Sequence, residues 1–223
     1  MTNIVLRGLN WVIRFRHRCG YGVHSPSDFF LITFVIYEKL RFYAYDTLHE
    51  LRKLAVGKEY HREKVDKLLF RLVNYLQPSS LLELGPGNGI STCYMARACK
   101  KMKVVTFGEE KDNRLEQFLK GQISRCNCLW GDIPDVFPAD LNLSLVHISS
   151  VSNYKEWVEK LIPLANKSTC FLISKPYATR EKKKWWKTLI ADERTGVTFD
   201  LYDIGIIFFD KSRIKEHRII NFL

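Results

Sequence analysis

The spacing of apolar residues changes near residue 78. Before that point it is helical. Val65, Leu68, Leu69, Leu72, Val73 and Leu76 fall at i, i+3, i+4, i+7, i+8 and i+11, one face of an amphipathic helix. Further upstream, Ser25-Pro26-Ser27-Asp28 offers a serine N-cap, a proline at the first helical position and an acid in the first turn. A helix is expected behind it from Phe29 to Phe42, and residues 1 to about 76 read as helical throughout. Beyond Pro78, short apolar runs alternate with helical stretches. Strands are expected at 80–84, 103–107, 126–130, 143–148 and 168–174. Helices are expected at 90–100, 111–120, 153–165 and 179–190, with a helical turn at 133–137. This alternation indicates βαβ units and a parallel sheet covered on both faces. Val197–Leu201 and Ile204–Phe209 differ, because so short a connection closes only an antiparallel hairpin. The expected fold is α/β: a Rossmann-like, mostly parallel, seven-stranded sheet ending in an antiparallel hairpin. The candidate boundary near 57–63 divides the chain into a helical extension, 1–60, and the α/β domain, 61–223.

The stretch that carries chemistry is Leu81-Leu82-Glu83-Leu84-Gly85-Pro86-Gly87-Asn88-Gly89, between the first strand and its helix. Alternate glycines permit positive φ and close approach to the backbone. The N–H groups opening the next helix favour anionic ligand groups. A dinucleotide fingerprint would need glycine at position 90, where Ile90 stands. The pattern is instead E-x-G-x-G-x-G, which resembles motif I of the class I S-adenosylmethionine (SAM) methyltransferases. The resemblance implies that Gly85, Gly87 and Gly89 hold the methionine and ribose part of SAM. It also implies that Glu83 faces the cationic end of that cofactor, directly or through water.

Ligands of open α/β sheets sit outside the carboxyl ends of the strands, so the residues after each strand matter. Phe107-Gly108-Glu109-Glu110 follows the second strand. An acid there would accept from the ribose hydroxyls; Glu109 is the candidate and Glu110 the second choice. Similar methyltransferases usually carry that acid one residue earlier, where this chain has Gly108. Trp130-Gly131-Asp132 after the third strand resembles the segment that packs on adenine, which implies that Asp132 accepts from the adenine amino group.

Together LELGPGNGISTCYMA, VHISSVSNY and VTFDLYDIGIIFF look like a bacterial O-methyltransferase-like group, with GYGVHSP resembling a helical extension of some members. His24, Ser25 and Tyr43 then have two readings, as a lid on the cofactor or as cap and packing residues. Metal-dependent relatives carry carboxylates after the fourth and fifth strands. Here those places read Ile148-Ser149-Ser150-Val151-Ser152-Asn153-Tyr154 and Ile173-Ser174-Lys175-Pro176-Tyr177. Magnesium and calcium need oxygen ligands, usually carboxylates, so no metal is expected. Lys175 and Tyr177 are the catalytic candidates, and His147, inside a strand, reads as a core histidine.

Composition adds limits. The chain has 223 residues, 46% of them hydrophobic, and a net charge of +11. No run approaches the roughly 18 apolar residues of a membrane span, and the amphipathic, arginine-bearing N-terminus lacks a signal-peptide h-region. A cytoplasmic protein with no membrane partner and six reduced cysteines is expected. Its oligomeric state is open, a homodimer included. Arg180-Glu181-Lys182-Lys183-Lys184-Trp185-Trp186-Lys187 can be read as a nucleic-acid grip or as the start of an amphipathic helix whose Trp185, Leu189 and Ile190 pack on the sheet while the lysines are solvated. The leading function is metal-independent methylation of a small molecule. The alternatives are a non-catalytic SAM-fold binding protein and a nucleic-acid methyltransferase.

Overall fold

The computed structural model describes residues 4–55, 61–132 and 142–223. The turn expected at 133–137 and most of the 57–63 boundary lie outside the described residues. Helices α1 (Ile4–Ile13), α2 (Pro26–Phe30), α3 (Tyr45–Leu54) and α4 (Glu63–Leu76) precede the sheet. Then β1 (Ser80–Leu84), α5 (Ile90–Ala98), β2 (Lys103–Gly108), α6 (Asn113–Gln122) and β3 (Cys126–Trp130) alternate. They are followed by β4 (Leu145–Ile148), α7 (Tyr154–Leu161), β5 (Cys170–Ser174) and α8 (Arg180–Ala191). The chain ends with β6 (Thr198–Asp200), β7 (Ile204–Phe208) and β8 (His217–Ile219).

The strands form one sheet in the order β3-β2-β1-β4-β5-β7-β6-β8. Pairing is parallel from β3 to β5 and antiparallel where β7 meets β5 and β6. Successive residues of the central strands point to opposite faces, and both faces are apolar because helices cover both. Leu81, Val104, Leu145 and Leu172 join Leu68, Leu72 and Tyr94 on one side. Leu82, Val105, Val146 and Phe171 join Trp157 and Trp186 on the other.

The structure departs from the expected elements in three places. The sheet has eight strands rather than seven, because β8 pairs in parallel with β6 at the edge. The helix expected from Phe29 to Phe42 stops at Ile36, after a wide turn over Leu31–Ile36. Arg71 of α4, itself buried, takes the Val35 and Ile36 carbonyls at 2.7 and 2.9 Å and so ends the ladder there. Residues 1–76 are therefore not helical throughout. Ser25 does cap α2, its Oγ accepting from Asp28 N–H at 3.4 Å.

The chain ahead of α4 is fastened in two ways. Leu31, Ile32, Val35, Ile36, Leu48 and Leu51 share the apolar core of α4 and α5. Helix α1 is held by charge. Arg7 reaches both Asp203 oxygens at 2.7 and 2.9 Å. Arg14 pairs with Asp200 at 2.9 Å and takes its carbonyl at 2.9 Å. Asp200 also receives Tyr177 Oη–H, Trp186 Nε1–H at 3.2 Å and Tyr202 N–H at 3.0 Å. Burial pushes the Asp200 carboxyl up, but Arg14 and these donors outweigh it and hold it below the usual range. Removing one partner of such a buried pair costs about 3–5 kcal/mol. Arg14→Ala should lower stability to urea by about that amount, whereas equal stability of variant and wild type would mean that α1 is not anchored at this hairpin.

Candidate cofactor and active site

A cavity of about 610 Å³ opens at the carboxyl ends of β1, β2 and β3. Gly85, Pro86 and Gly87 form one wall, Gly108 to Leu115 another, and Trp130 and Ser150 complete it. The strand order reverses between β1 and β4, so the cavity lies at the switch point where open α/β sheets bind ligands. Gly85 also has a neighbour to admit. Its φ is +71°, and an added Cβ would stand 2.2 Å from the Ser150 carbonyl oxygen. The glycine thus lets the loop after β4 close on the loop after β1. Within the same loop the Asn88 side-chain Nδ2 is buried and has no acceptor.

The glycine at 108 has a physical reason. A Cβ there would lie 2.5 Å from the Trp130 ring. The indole crosses the end of β2, with Nε1 3.3 Å from Glu116, and forms an aromatic wall of the cavity. An acid at 108 would collide with it, so the carboxylate comes one residue later. Glu109 lines the cavity and accepts from Ser152, from its N–H at 2.6 Å and from its hydroxyl. The Ser152 hydroxyl is the main cause holding Glu109 below the usual carboxylate range. Asp132 is exposed at the last described position before 133–141.

Glu83 does not line this cavity. It is wholly buried, accepting from Thr92 Oγ1–H of α5 and meeting His147 Nδ1 at 2.9 Å. His147 Nε2 lies 2.7 Å from Ser174 Oγ, and Ser174 Oγ lies 2.9 Å from His61 Nε2. Burial, then the neighbouring His147, drives His61 well below the normal histidine range, so it is neutral. With Glu83 as terminal acceptor the donors run one way: His61 N–H to Ser174, Ser174 O–H to His147, His147 N–H to Glu83. Arg52 extends the set, bonding the His61 carbonyl and Asp66, which accepts from Ser91 at 2.6 Å. Ser–His–Glu is the connectivity of a nucleophilic triad. Ser174 is fully enclosed, however, and its hydroxyl is bracketed by two imidazoles. The arrangement braces the site and does not attack.

The other expected residues divide. Lys175 stands at the end of β5, half-buried, with φ at +48° and its N–H on the Asp203 carbonyl at 2.7 Å. Tyr177 is engaged with the β6–β7 turn. Its hydroxyl is committed to Asp200 and its ring stacks on Tyr202 at 5.1 Å, under the Arg14 guanidinium. Tyr43 is also away from the cavity, bonding the Arg97 carbonyl at the far end of α5, and Ser25 is a cap. In α8, Trp185 and Trp186 are buried and offer no face for base stacking, while Lys183, Lys184 and Lys187 are exposed. Lys182 departs from the expected solvated lysines: it is only 6% exposed and lies 5.1 Å over the Tyr154 ring. Burial first, then Lys175, pushes its ammonium down to about 8. Among the described residues no group of three His, Cys, Asp or Glu side chains could hold a metal ion. A second cavity of about 440 Å³ near α3 is lined by charges that already pair, including Arg41 with Asp46 and Lys67 with Glu63.

Solved structures with the same architecture include methyltransferases, several of them O-methyltransferases. The SAH-bound methyltransferase PaMTH1 of Podospora anserina superposes with a TM-score of 0.57 at 14% identity, covering 91% of this chain and 95% of its own. TomG of Streptomyces achromogenes, solved with SAM, gives 0.53 at 13%, covering 76% and 91%. The Bacillus cereus O-methyltransferase in complex with SAH gives 0.53 at 13%, covering 76% and 92%. The fold is that of these methyltransferases. No protein-family profile and no curated protein matches the sequence.

The buried histidine makes a pH prediction. A histidine whose folded pKa is depressed binds its proton in the unfolded chain first. Its contribution is therefore complete above the unfolded value near 6.5 and is lost as pH falls below it, by up to about 1.4 kcal/mol per pH unit. His217 is shifted the same way, mainly by burial, and adds with the same sign. Stability to urea should fall between about pH 6.5 and 5, before most carboxylates titrate. The fall should be shallower in His61→Gln; identical slopes in the two proteins would refute a neutral buried His61.

Proposed function

We propose that this chain binds SAM in the cavity at the carboxyl ends of β1 to β3 and methylates a small-molecule acceptor without a divalent metal. The observation that carries this reading is the cavity itself: a glycine loop on one side, an ionised acid after β2 on the other, at the switch point of a methyltransferase fold. Three features of the chain fit the cofactor. Glu109 is ionised, lines the cavity and has an oxygen beyond the one that Ser152 occupies, which suits ribose hydroxyls. The Trp130 ring gives a flat apolar wall for adenine, with Asp132 close behind it for the amino group. The buried Nδ2 of Asn88 has no acceptor among the described residues, and a carboxylate such as that of the methionine moiety would supply one.

When bound, SAM supplies an electrophilic methyl group on a sulfonium. The protein has to place the acceptor in line and accommodate its proton. Gly85, Gly87 and Gly89 shape the loop around the cofactor, while Glu83 acts from beneath by bracing β1 to α5 and β4. Lys175 is the acceptor-side group at the end of β5, as a base or as a contact for an anionic acceptor. Its neighbour Lys182 is buried over the Tyr154 ring and pushed down to about 8 by that burial and by Lys175. Ser149, Ser174 and Lys175 offer no carboxylate where metal-dependent relatives have them, so positioning falls to pocket shape and to the helical extension, residues 1–60, on the domain of residues 61–223. The six thiols, none in a disulfide, suit a reducing cytoplasm.

Calorimetry should show SAM binding to the wild type. Glu109→Ala removes a charged hydrogen-bond acceptor, about 1.5–3 kcal/mol or roughly ten- to a hundredfold in affinity. Gly87→Val and Gly108→Asp should weaken binding at least as much, the latter by displacing Trp130. Unchanged affinity in all three would move the site elsewhere. With an acceptor in hand, chelating divalent ions should leave the rate unaltered and Lys175→Ala should lower it; loss on chelation, restored by magnesium, would reveal a metal site.

A further inference from the structure

Helix α1 is docked with its apolar side outward. At 3.6 residues per turn, Arg7 and Arg14 lie about half a turn around the helix from Val5, Leu9, Val12 and Ile13. The arginine side faces the protein, through Asp203 and Asp200. Val5, Leu9, Val12 and Ile13 are 69, 55, 65 and 74% exposed. Beyond the helix, Phe15 and Tyr21 are also exposed, at 53 and 86%. A surface helix of a globular protein normally packs its apolar stripe inward, and a contiguous exposed stripe marks a contact.

Charge decides what that contact is. The first 27 residues contain four arginines and no Asp or Glu. Arg7 and Arg14 are neutralised by the hairpin, but Arg16 and Arg18 are exposed. Arg18 spreads over the Trp11 and Phe15 rings at 5.8 and 5.6 Å, so cation and aromatic surface are contiguous. A second copy of this chain would bring the same arginines into the contact, on a molecule of net charge +11. An anionic bilayer surface attracts that charge and accepts the apolar stripe at the headgroup–acyl boundary, the arrangement of interfacial amphipathic helices. Trp11 and Tyr21 are the residue types that settle at that depth.

We propose that α1 and the turn behind it seat this protein on an anionic lipid surface. No helix among the described residues is long and apolar enough to cross a membrane, so the chain lies on the bilayer and does not span it. This revises the expectation, drawn from the absence of an apolar run, that the protein has no membrane partner. The arginines that fix α1 also tie it to the acceptor side of the proposed site, since Asp203 bonds Arg7 through its carboxylate and Lys175 through its carbonyl.

The test uses the full chain and vesicles of phosphatidylcholine, alone or with about one-third phosphatidylglycerol. Co-sedimentation should show binding to the anionic vesicles only, weakening as salt is raised. Leu9→Glu with Val12→Glu, both at exposed positions, should lower that binding roughly tenfold or more while leaving circular dichroism unchanged. Arg16→Glu with Arg18→Glu should weaken binding and flatten its salt dependence. Failure of the wild type to bind anionic vesicles at low salt, or binding indifferent to Leu9→Glu/Val12→Glu, would overturn the proposal. So would a wild-type dimer in lipid-free solution that this double substitution converts to monomer.

Discussion

A carboxylate sealed inside a sheet must be met by donors on every side, and Glu83 imposes that demand on this fold. An unmatched buried charge costs several kcal/mol even after relaxation. Glu83 therefore needs Thr92 in the first turn of α5 and a histidine in register with it on β4. His147 then needs Ser174 at the end of β5, and Ser174 receives His61 from the segment before α4. Four elements are positioned by one chain of hydrogen bonds, beside the strand ends where the cavity opens.

A second demand arises at the opposite edge of the parallel sheet. Asp200 and Asp203 flank the β6–β7 turn and collect Arg14, Arg7 and Arg62. Asp203 also accepts the N–H of Lys175, whose φ is in the left-handed region. The extension and the end of β5 are consequently parts of one polar assembly, and α1 is left with Leu9, Val12 and Ile13 exposed. Two ion pairs, Arg7 with Asp203 and Arg14 with Asp200, fix the orientation of that helix.

Much of this was legible in the sequence because its causes are local. The alternation of strands and helices, the glycine loop and the Ser25 cap each depend on neighbours within a few residues. Long-range causes were not readable. The end of the helix at Ile36 is set by Arg71, 35 residues away. Strand β8 is three residues long, two of them charged or polar, and exists because β6 offers an edge. Glu83 was expected to face the cofactor since its position fits the motif; only the presence of His147 and Thr92 around it shows that it faces inward. Lys182 belongs to a lysine run that reads as solvated, yet the packing of α8 encloses it. The shift of the acid from 108 to 109 was visible as a departure from related sequences. Its cause, the Trp130 ring over Gly108, was not.

The central claim is that the cavity between the glycine loop and the end of β2 is where SAM binds. Hydrogen–deuterium exchange with and without saturating SAM tests it without requiring an acceptor. Exchange should slow in the loop 85–89, in 108–115 and around Ser150–Ser152, with little change at α1 and α3. Protection confined to other parts of the chain, or none at saturation, would contradict the account.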